Sequence, residues 1–425
     1  MWGVSISLVP PLIGQGQATY RGRRRGGYVA SQPNHQRAVP AWAEPFAPPP
    51  QGAPERPAPR GAIHAVHWRA MDEPDAVRAW DALAQWASEP NPFFESWYLL
   101  PALRGLDSAG RVQMLRFEID GDLAGVLPLV HAPRYYTRPI PHLASWMHPN
   151  CFLGAPLVAR GLERPFWRAL LAWADAQGGL GLFLHLSGLP LSGALYEALR
   201  AVLAEDGRDA ALVARQNHVM LSSDLAPEAY FEAAVSAKKR KEYRRQANRL
   251  ADHGEVAFTR HNDAADLACW TKDFLALEAA GWKGAAGSAL ASHAATEALF
   301  RDSLIGAAER GRLERLALTL DRRPIAMLAT FLTPPGAFMF KTAFDEALGP
   351  FSPGVLLQRE NLAMLGAPNI GWVDSCAGDD HPMITHLWRE HRPVGRVSLA
   401  IGGTVRRGVF GAMARRELGG NGFGI

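Results

Sequence analysis

The stretch Phe338–Leu357 (FMFKTAFDEALGPFSPGVLL) carries the densest chemical signal in the chain. It reads as a strand, a turn through Gly349-Pro350, and a helix that begins at Ser352-Pro353-Gly354. Serine suits an N-cap, proline suits the first helical position, and glycine lets a ligand come close to the backbone. The N–H groups of Gly354 and Val355, helped by the helix dipole, then form a candidate anion seat. The same residues also make an ordinary helix start.

Other chemistry lies nearby. Asp345, Glu346, Asp374, Asp379 and His381 are candidate proton acceptors, and each is equally readable as a surface group. His381, His386 and His391 are spaced by five. On a helix that spacing sets neighbours about 140° apart, so no metal site is expected. Trp282-Lys283 stands between Gly281 and Gly284, where a large aromatic either covers a ligand or anchors its loop. Lys283 and Lys341 are two of only six lysines against 39 arginines, which suits a role for a compact, titratable charge. Lys238–Arg249 (KKRKEYRRQANR) puts Lys238, Lys241, Arg245 and Arg249 on one helical face, opposite Phe231, Val235, Tyr243, Ala247 and Leu250. That face is either a solvated surface or a seat for an anionic partner: a CoA phosphate, tRNA or a phosphorylated sugar carrier.

Several elements must position these residues. Arg111–Asp120 alternates apolar and polar, turns at Gly121-Asp122, and resumes as Leu123–Val130. Arg312–Asp321 repeats the pattern, turns at Arg322-Arg323, and resumes as Pro324–Phe331. Each hairpin follows a helical segment, Glu95–Leu106 or Thr296–Arg310, so a duplicated α–β–β unit is the economical explanation. The second half reads β-α-α-β-β-β-α-β, a mixed α/β sheet with a helix between its last two strands. In the first half, His148-Pro149-Asn150-Cys151 and Gly154 form a loop before a strand, without a Ser-His-Asp or Cys-His arrangement.

Length and composition bound the rest. The chain has 425 residues, 48% hydrophobic and 20% charged, enough for two domains with full cores. Three scattered cysteines argue against a disulfide framework or a cysteine zinc site. No apolar run approaches a spanning helix, and a cytoplasmic location is expected. Residues 1–61 carry seven arginines against two glutamates, which exceeds the whole chain's net charge of +4. The folded part is therefore near neutral, and a general polyanion partner gains no support from net charge. With eleven of the 32 prolines, residues 1–61 read as a disordered tail. The expected division is this tail, a first domain over 62–215, a second over 216–405, and a Gly/Arg-rich C-terminal tail over 406–425.

The second half resembles the GNAT acyltransferases, and more narrowly the Fem-related, CelD-like branch linked to cellulose biosynthesis. The resemblance rests on Gly281-Trp282-Lys283-Gly284, Phe344-Asp345 with Phe351-Ser352-Pro353-Gly354, Asp374-Ser375-Cys376, and Asn91-Pro92-Phe93-Phe94-Glu95 in the first half. It implies two tandem GNAT-like domains and transfer from acetyl-CoA or another acyl-CoA to an amine or hydroxyl. The acceptor would be a small molecule or a glycan or peptide precursor in envelope or exopolysaccharide synthesis. Ser352, Gly354, Val355 and Lys341 would hold the donor, Trp282, Lys283 and His381 the acceptor, and Asp374, Asp379 or Asp345 would take the proton. The first domain would be a scaffold or the acceptor side. Fem-type enzymes take aminoacyl groups from tRNA, which leaves an aminoacyl-tRNA-dependent peptidyltransferase as the rival. A binding module without catalysis is a third reading. Two departures stand out. Pro353 removes a donor from the phosphate loop, and no tyrosine follows Tyr243 to reprotonate a thiolate.

Overall fold

The computed structural model describes residues 61–379, 381 and 383–419. The expected N-terminal tail lies outside the described residues. The first half comprises β1 (Ala62–His67), α1 (Pro74–Trp86), α2 (Ser96–Leu106), β2 (Gln113–Ile119), β3 (Asp122–Ala132), β4 (His142–Ser145), β5 (Leu157–Val158), α3 (Glu163–Gln177), β6 (Phe183–Pro190), α4 (Ala194–Glu205) and β7 (Ala210–Leu221). Then come α5 (Pro227–Ala234), α6 (Ala237–Ala251), β8 (Val256–His261), α7 (Leu267–Ala280), α8 (Trp282–Ala285), α9 (Ala294–Glu309), β9 (Leu313–Leu320), β10 (Arg323–Thr333) and β11 (Gly336–Phe344). The chain continues through α10 (Pro353–Asn361), β12 (Trp372–Gly378), β13 (Glu390–Ala400) and α11 (Thr404–Glu417).

All strands join one mixed sheet in the order β1-β2-β3-β4-β6-β13-β7-β12-β11-β10-β9-β8, with β5 beside β3. Read outward from the central β13–β7 pair, the two sides match. Each has one parallel contact, β4 with β6 and β11 with β12, and antiparallel contacts elsewhere. Their closing strands are exchanged: β7 lies beside β12, and β13 lies beside β6. The expected boundary near residue 215 falls inside β7. The hairpins that suggested duplication share one turn geometry, with left-handed backbone at Asp120-Gly121 and again at Asp321-Arg322.

The halves are packed rather than tethered. Helices α2 and α9 meet through small residues: a Cβ on Gly306 would lie 2.8 Å from Trp97 Cβ, and one on Gly105 would lie 3.3 Å from Ala295 O. Beneath them Phe93, Tyr98, Phe331, Phe338 and Phe340 form an aromatic cluster that draws on both halves, mostly edge-to-face with Phe331 and Phe340 stacked.

Three local expectations change. Gly281–Gly284 is not open loop, since Trp282–Ala285 makes a helical turn against α7. The basic stretch lies whole within α6, but the apolar stripe opposite it is broken at Val235-Ser236, with Phe231 on α5 and Ser236 capping α6 through Lys239 N–H. Residues 404–417, expected to fall mostly in a tail, form α11. There Phe410 and Ala414 are buried, with Phe410 against Phe183.

Candidate active site

The parallel ladder between β11 and β12 is short. It joins Gly336, Ala337 and Phe338 to Trp372, Val373 and Asp374, and then the strands part. Each strand bulges where the ladder ends. On β11, Ala329 faces Lys341 and Thr330 faces Met339, leaving Phe340 as an extra residue. On β12, the three residues Ser375–Ala377 stand against the single Val219 of β7, and Cys376 has φ +55°. Bulges re-aim side chains and end pairing. The result is a cleft of about 250 Å3 between the two strands. One face is lined by Phe152, Leu277, Glu278 and Lys341, and the other by Met339, Gln358, Met383 and Ile384. Trp282, 61% exposed, stands at the rim.

The bulge at Phe340 directs Lys341 toward the first half. Its Nζ donates to Asn150 Oδ1 at 2.7 Å and lies 5.1 and 5.6 Å from the Phe152 and Phe340 ring centres. Burial pulls the ammonium down to about 8, with a further push from Lys283 and opposition from Glu278 and Cys376. Tyr98 Oη donates to the Asn150 carbonyl and so fixes the loop that carries the amide. Beside it His148 is driven down to about 3 by burial and by the Lys341 charge, and is neutral. Cys376 also lines the cleft, but burial and the neighbouring Asp374 carboxylate raise its thiol well above the ordinary range. Cys376 is therefore a thiol rather than a thiolate nucleophile.

The expected site residues divide sharply. Lys341, Trp282, Lys283 and His381 come together in the cleft. Lys283 pairs with the buried Glu278 at 2.8 Å, whose other oxygen accepts from Leu290 N–H. The carboxylates Asp374, Asp379 and Asp345 lie elsewhere. Asp374 is fully buried between β12 and β7, accepting from His218 Nδ1 at 3.0 Å and from Cys376 N–H at 2.7 Å. Asp379 is exposed and accepts from Asn217. Asp345 caps the short turn at Ala347 and pairs with Arg323. Glu346 reaches the rim, where it accepts from Trp282 N–H at 2.8 Å.

The anion seat at the start of α10 needs correction. Ser352 lies in left-handed backbone (φ +52°) and caps nothing with its hydroxyl. The N–H groups of Val355 and Leu356 both return to Ser352 O, at 3.0 and 3.1 Å. A Cβ on Gly354 would meet Met383 Sδ at 2.7 Å, so its close approach is to protein. At most one N–H is left for a phosphate.

Phe152, Glu278 and Gln358 enter the site without having been singled out, and Asn150, noted only as part of a loop, joins them. Glu278 precedes Lys283 by five residues, a spacing that hints at a pair across a helix end. Asn150 lies 191 residues from Lys341, and no local pattern announces that contact.

Residues 237–381 match the family model of the acetyltransferase (GNAT) domain, and most of the cleft lining falls within that span. No curated protein matches the chain. Among solved structures, FemX aligns at 10% identity over 80% of this chain and 98% of its own, with TM-score 0.50. A conserved protein of unknown function from Bacteroides thetaiotaomicron VPI-5482 aligns at 11% identity over 76% and 97%, with TM-score 0.48. A tandem GNAT protein from the clavulanic acid biosynthesis pathway aligns at 17% identity over 81% and 99%, with TM-score 0.41.

Proposed function

We propose that the chain is an acyltransferase of the GNAT type, which takes an acyl group from acyl-CoA in the β11/β12 cleft and passes it to an amine or hydroxyl. The observation that carries this reading is the parting of two parallel strands at paired bulges, inside the span that matches the acetyltransferase domain. Where a ladder ends, backbone N–H groups are released, and a thioester carbonyl held there gains oxyanion stabilisation as the tetrahedral intermediate forms.

Lys341 is the group best placed to take the acceptor's proton. It has no carboxylate partner within ion-pair distance among the described residues, and a lysine near 8 is in the range that suits a base. Asn150 takes one of its hydrogens and leaves the nitrogen beside the cleft. The nucleophile loses its proton to Lys341, attacks the thioester carbon, and expels the CoA thiolate, which is reprotonated by solvent or by the lysine. The donor's phosphates are assigned to the basic face of α6 instead of the α10 start. Helix α6 packs against residues 346–351, where Arg249 lies over Phe351 at 5.3 Å, and Lys238 and Lys241 are exposed. The acceptor is an amine or hydroxyl on a glycan or peptide precursor of the envelope or an exopolysaccharide, a reading that rests on the sequence resemblance.

The same basic face favours a second reading, in which charged tRNA is the donor. Calorimetry of CoA, acetyl-CoA and charged tRNA against the full chain separates the two. Micromolar thioester binding that weakens when Lys238 and Lys241 are both changed to Gln supports the first. Binding of tRNA alone, with a steep salt dependence, replaces it with the second.

A further inference from the structure

Helix α10 turns two amides into the interior on one face, Gln358 and, three residues on, Asn361. They are 1% and 0% exposed. Neither Nε2 nor Oε1 of Gln358 has a partner, and neither does Asn361 Oδ1; Asn361 Nδ2 reaches only the Met339 thioether, at 3.7 Å. Leaving a buried amide unpaired is among the more expensive things a core can do, and a leucine or methionine would fill the same space freely. Gln358 is also a lining residue of the cleft. Its neighbours there, Met339, Ser375 and Ile384, are each no more than 5% exposed, whereas the rim at Trp282 is open. The amide therefore belongs to the buried part of the cleft lining. A donor entering from the open side would bring only its terminal part to that point.

We propose that Gln358 hydrogen-bonds a polar substituent on the acyl portion of the donor, so that the group transferred is a hydroxyacyl or aminoacyl group rather than plain acetyl. This rests on the acyl-CoA reading above. A hydroxyl can donate to Oε1 and accept from Nε2, and an amino group can donate to Oε1. Either satisfies atoms that the protein leaves unpaired. An unsubstituted acyl chain leaves them unpaired in the complex, which is the situation in which polar sites discriminate most strongly.

The test compares wild type with Gln358→Met in calorimetry against two matched pairs of thioesters: butyryl-CoA with 3-hydroxybutyryl-CoA, and propionyl-CoA with β-alanyl-CoA. Wild type is expected to bind at least one substituted thioester about tenfold or more tightly than its plain partner. Gln358→Met is expected to lose that preference, still bind the plain thioester, and melt at a higher temperature. Equal affinities within both pairs, a preference that survives in the variant, or a lowered melting temperature would overturn the assignment while leaving the donor reading standing. Failure of wild type to bind any of the four, or CoA itself, would overturn both.

Discussion

The two halves of the sheet each contain a pair of parallel strands that separate, and only one separation makes a cleft. In the first half β4 and β6 pair over Leu143-Ala144 and Leu184-His185 and then diverge, as β11 and β12 do. There the gap is closed by the chain itself. Ser145 Oγ accepts from Ser187 N–H at 3.0 Å, and Gly154 N–H donates to Gly188 O at 2.8 Å. The backbone comes so close that a Cβ on Gly154 would lie 1.9 Å from Ser187 O. In the second half α10 follows β11 after one short turn, and among the described residues no backbone hydrogen bond ties β11 to β12 beyond Phe338 and Asp374. Residues 146–154 thus serve twice: they close their own wedge and bring Asn150 and Phe152 to the other one. The difference between the closed wedge and the open one is whether released backbone groups find partners within the chain. Fold alone does not decide it.

The comparison breaks first at Lys341, the group in the open wedge proposed to take the proton. Replacing it with Met is expected to lower transfer by about 10²–10⁴ while thioester binding changes little. The pH profile carries the sign. As a base the lysine acts when neutral, so below its value of about 8 the rate rises about tenfold per pH unit and levels off above. Lys341→Met should flatten that limb, as stopped assays of released CoA thiol across pH 6 to 9 would show (roughly the range in which a base near 8 titrates). A rate that falls through pH 8 in the wild type would assign the lysine a role as a fixed cation.

A second break targets the closed wedge. Gly154→Ala forces a methyl into Ser187 O and the Met147 thioether, and both must move. The expected cost is about 3 kcal/mol of stability, as for other overpacked core positions. The loop would shift and carry Asn150 away from Lys341. Transfer should then fall in a protein whose cleft residues in the second half are all intact, and whose unfolding midpoint in urea is lowered. An alanine tolerated without loss on either measure would show that the wedge is not closed by backbone contact and that the two halves differ for another reason.

Much of this asymmetry could be read in the sequence in part. The alternation in Arg111–Asp120 and Arg312–Asp321 located both hairpins, because the pattern is local to each strand and its turn, even though β9 is buried along nearly its whole length. Lys341, Trp282, Lys283 and His381 could be picked out since scarce or bulky residues near turns are conspicuous. The carboxylates read differently in the structure for a physical reason: Asp345 follows the end of β11 and Asp374 lies where the β11–β12 ladder stops, as a base would, but their oxygens are already taken by His218, Cys376 N–H and Arg323. Partner assignment of that kind is a tertiary property. So is the plug at Gly154, which depends on a strand more than thirty residues further along the chain. Gln358 was hidden differently, as one polar residue in a helix whose buried face could not be fixed without knowing that β11 lies against it.

The mildest test concerns the two turns. Asp120-Gly121 and Asp321-Arg322 both hold left-handed backbone at each central position, with φ of +53° and +92° in the first and +48° and +66° in the second. Glycine adopts that region without steric cost, whereas an arginine there brings its Cβ against the following carbonyl. The first turn therefore carries the residue its geometry favours and the second does not. Arg322→Gly is expected to stabilise the protein by about 0.5–1 kcal/mol, less than the local relief because the unfolded chain also gains freedom. Gly121→Arg should cost a similar amount. Both would appear as opposite shifts of the urea midpoint with transfer unchanged, since neither turn touches the cleft. If Arg322→Gly instead destabilises, the arginine is making a contact that holds the second hairpin, and the two turns are equivalent in geometry but not in what secures them.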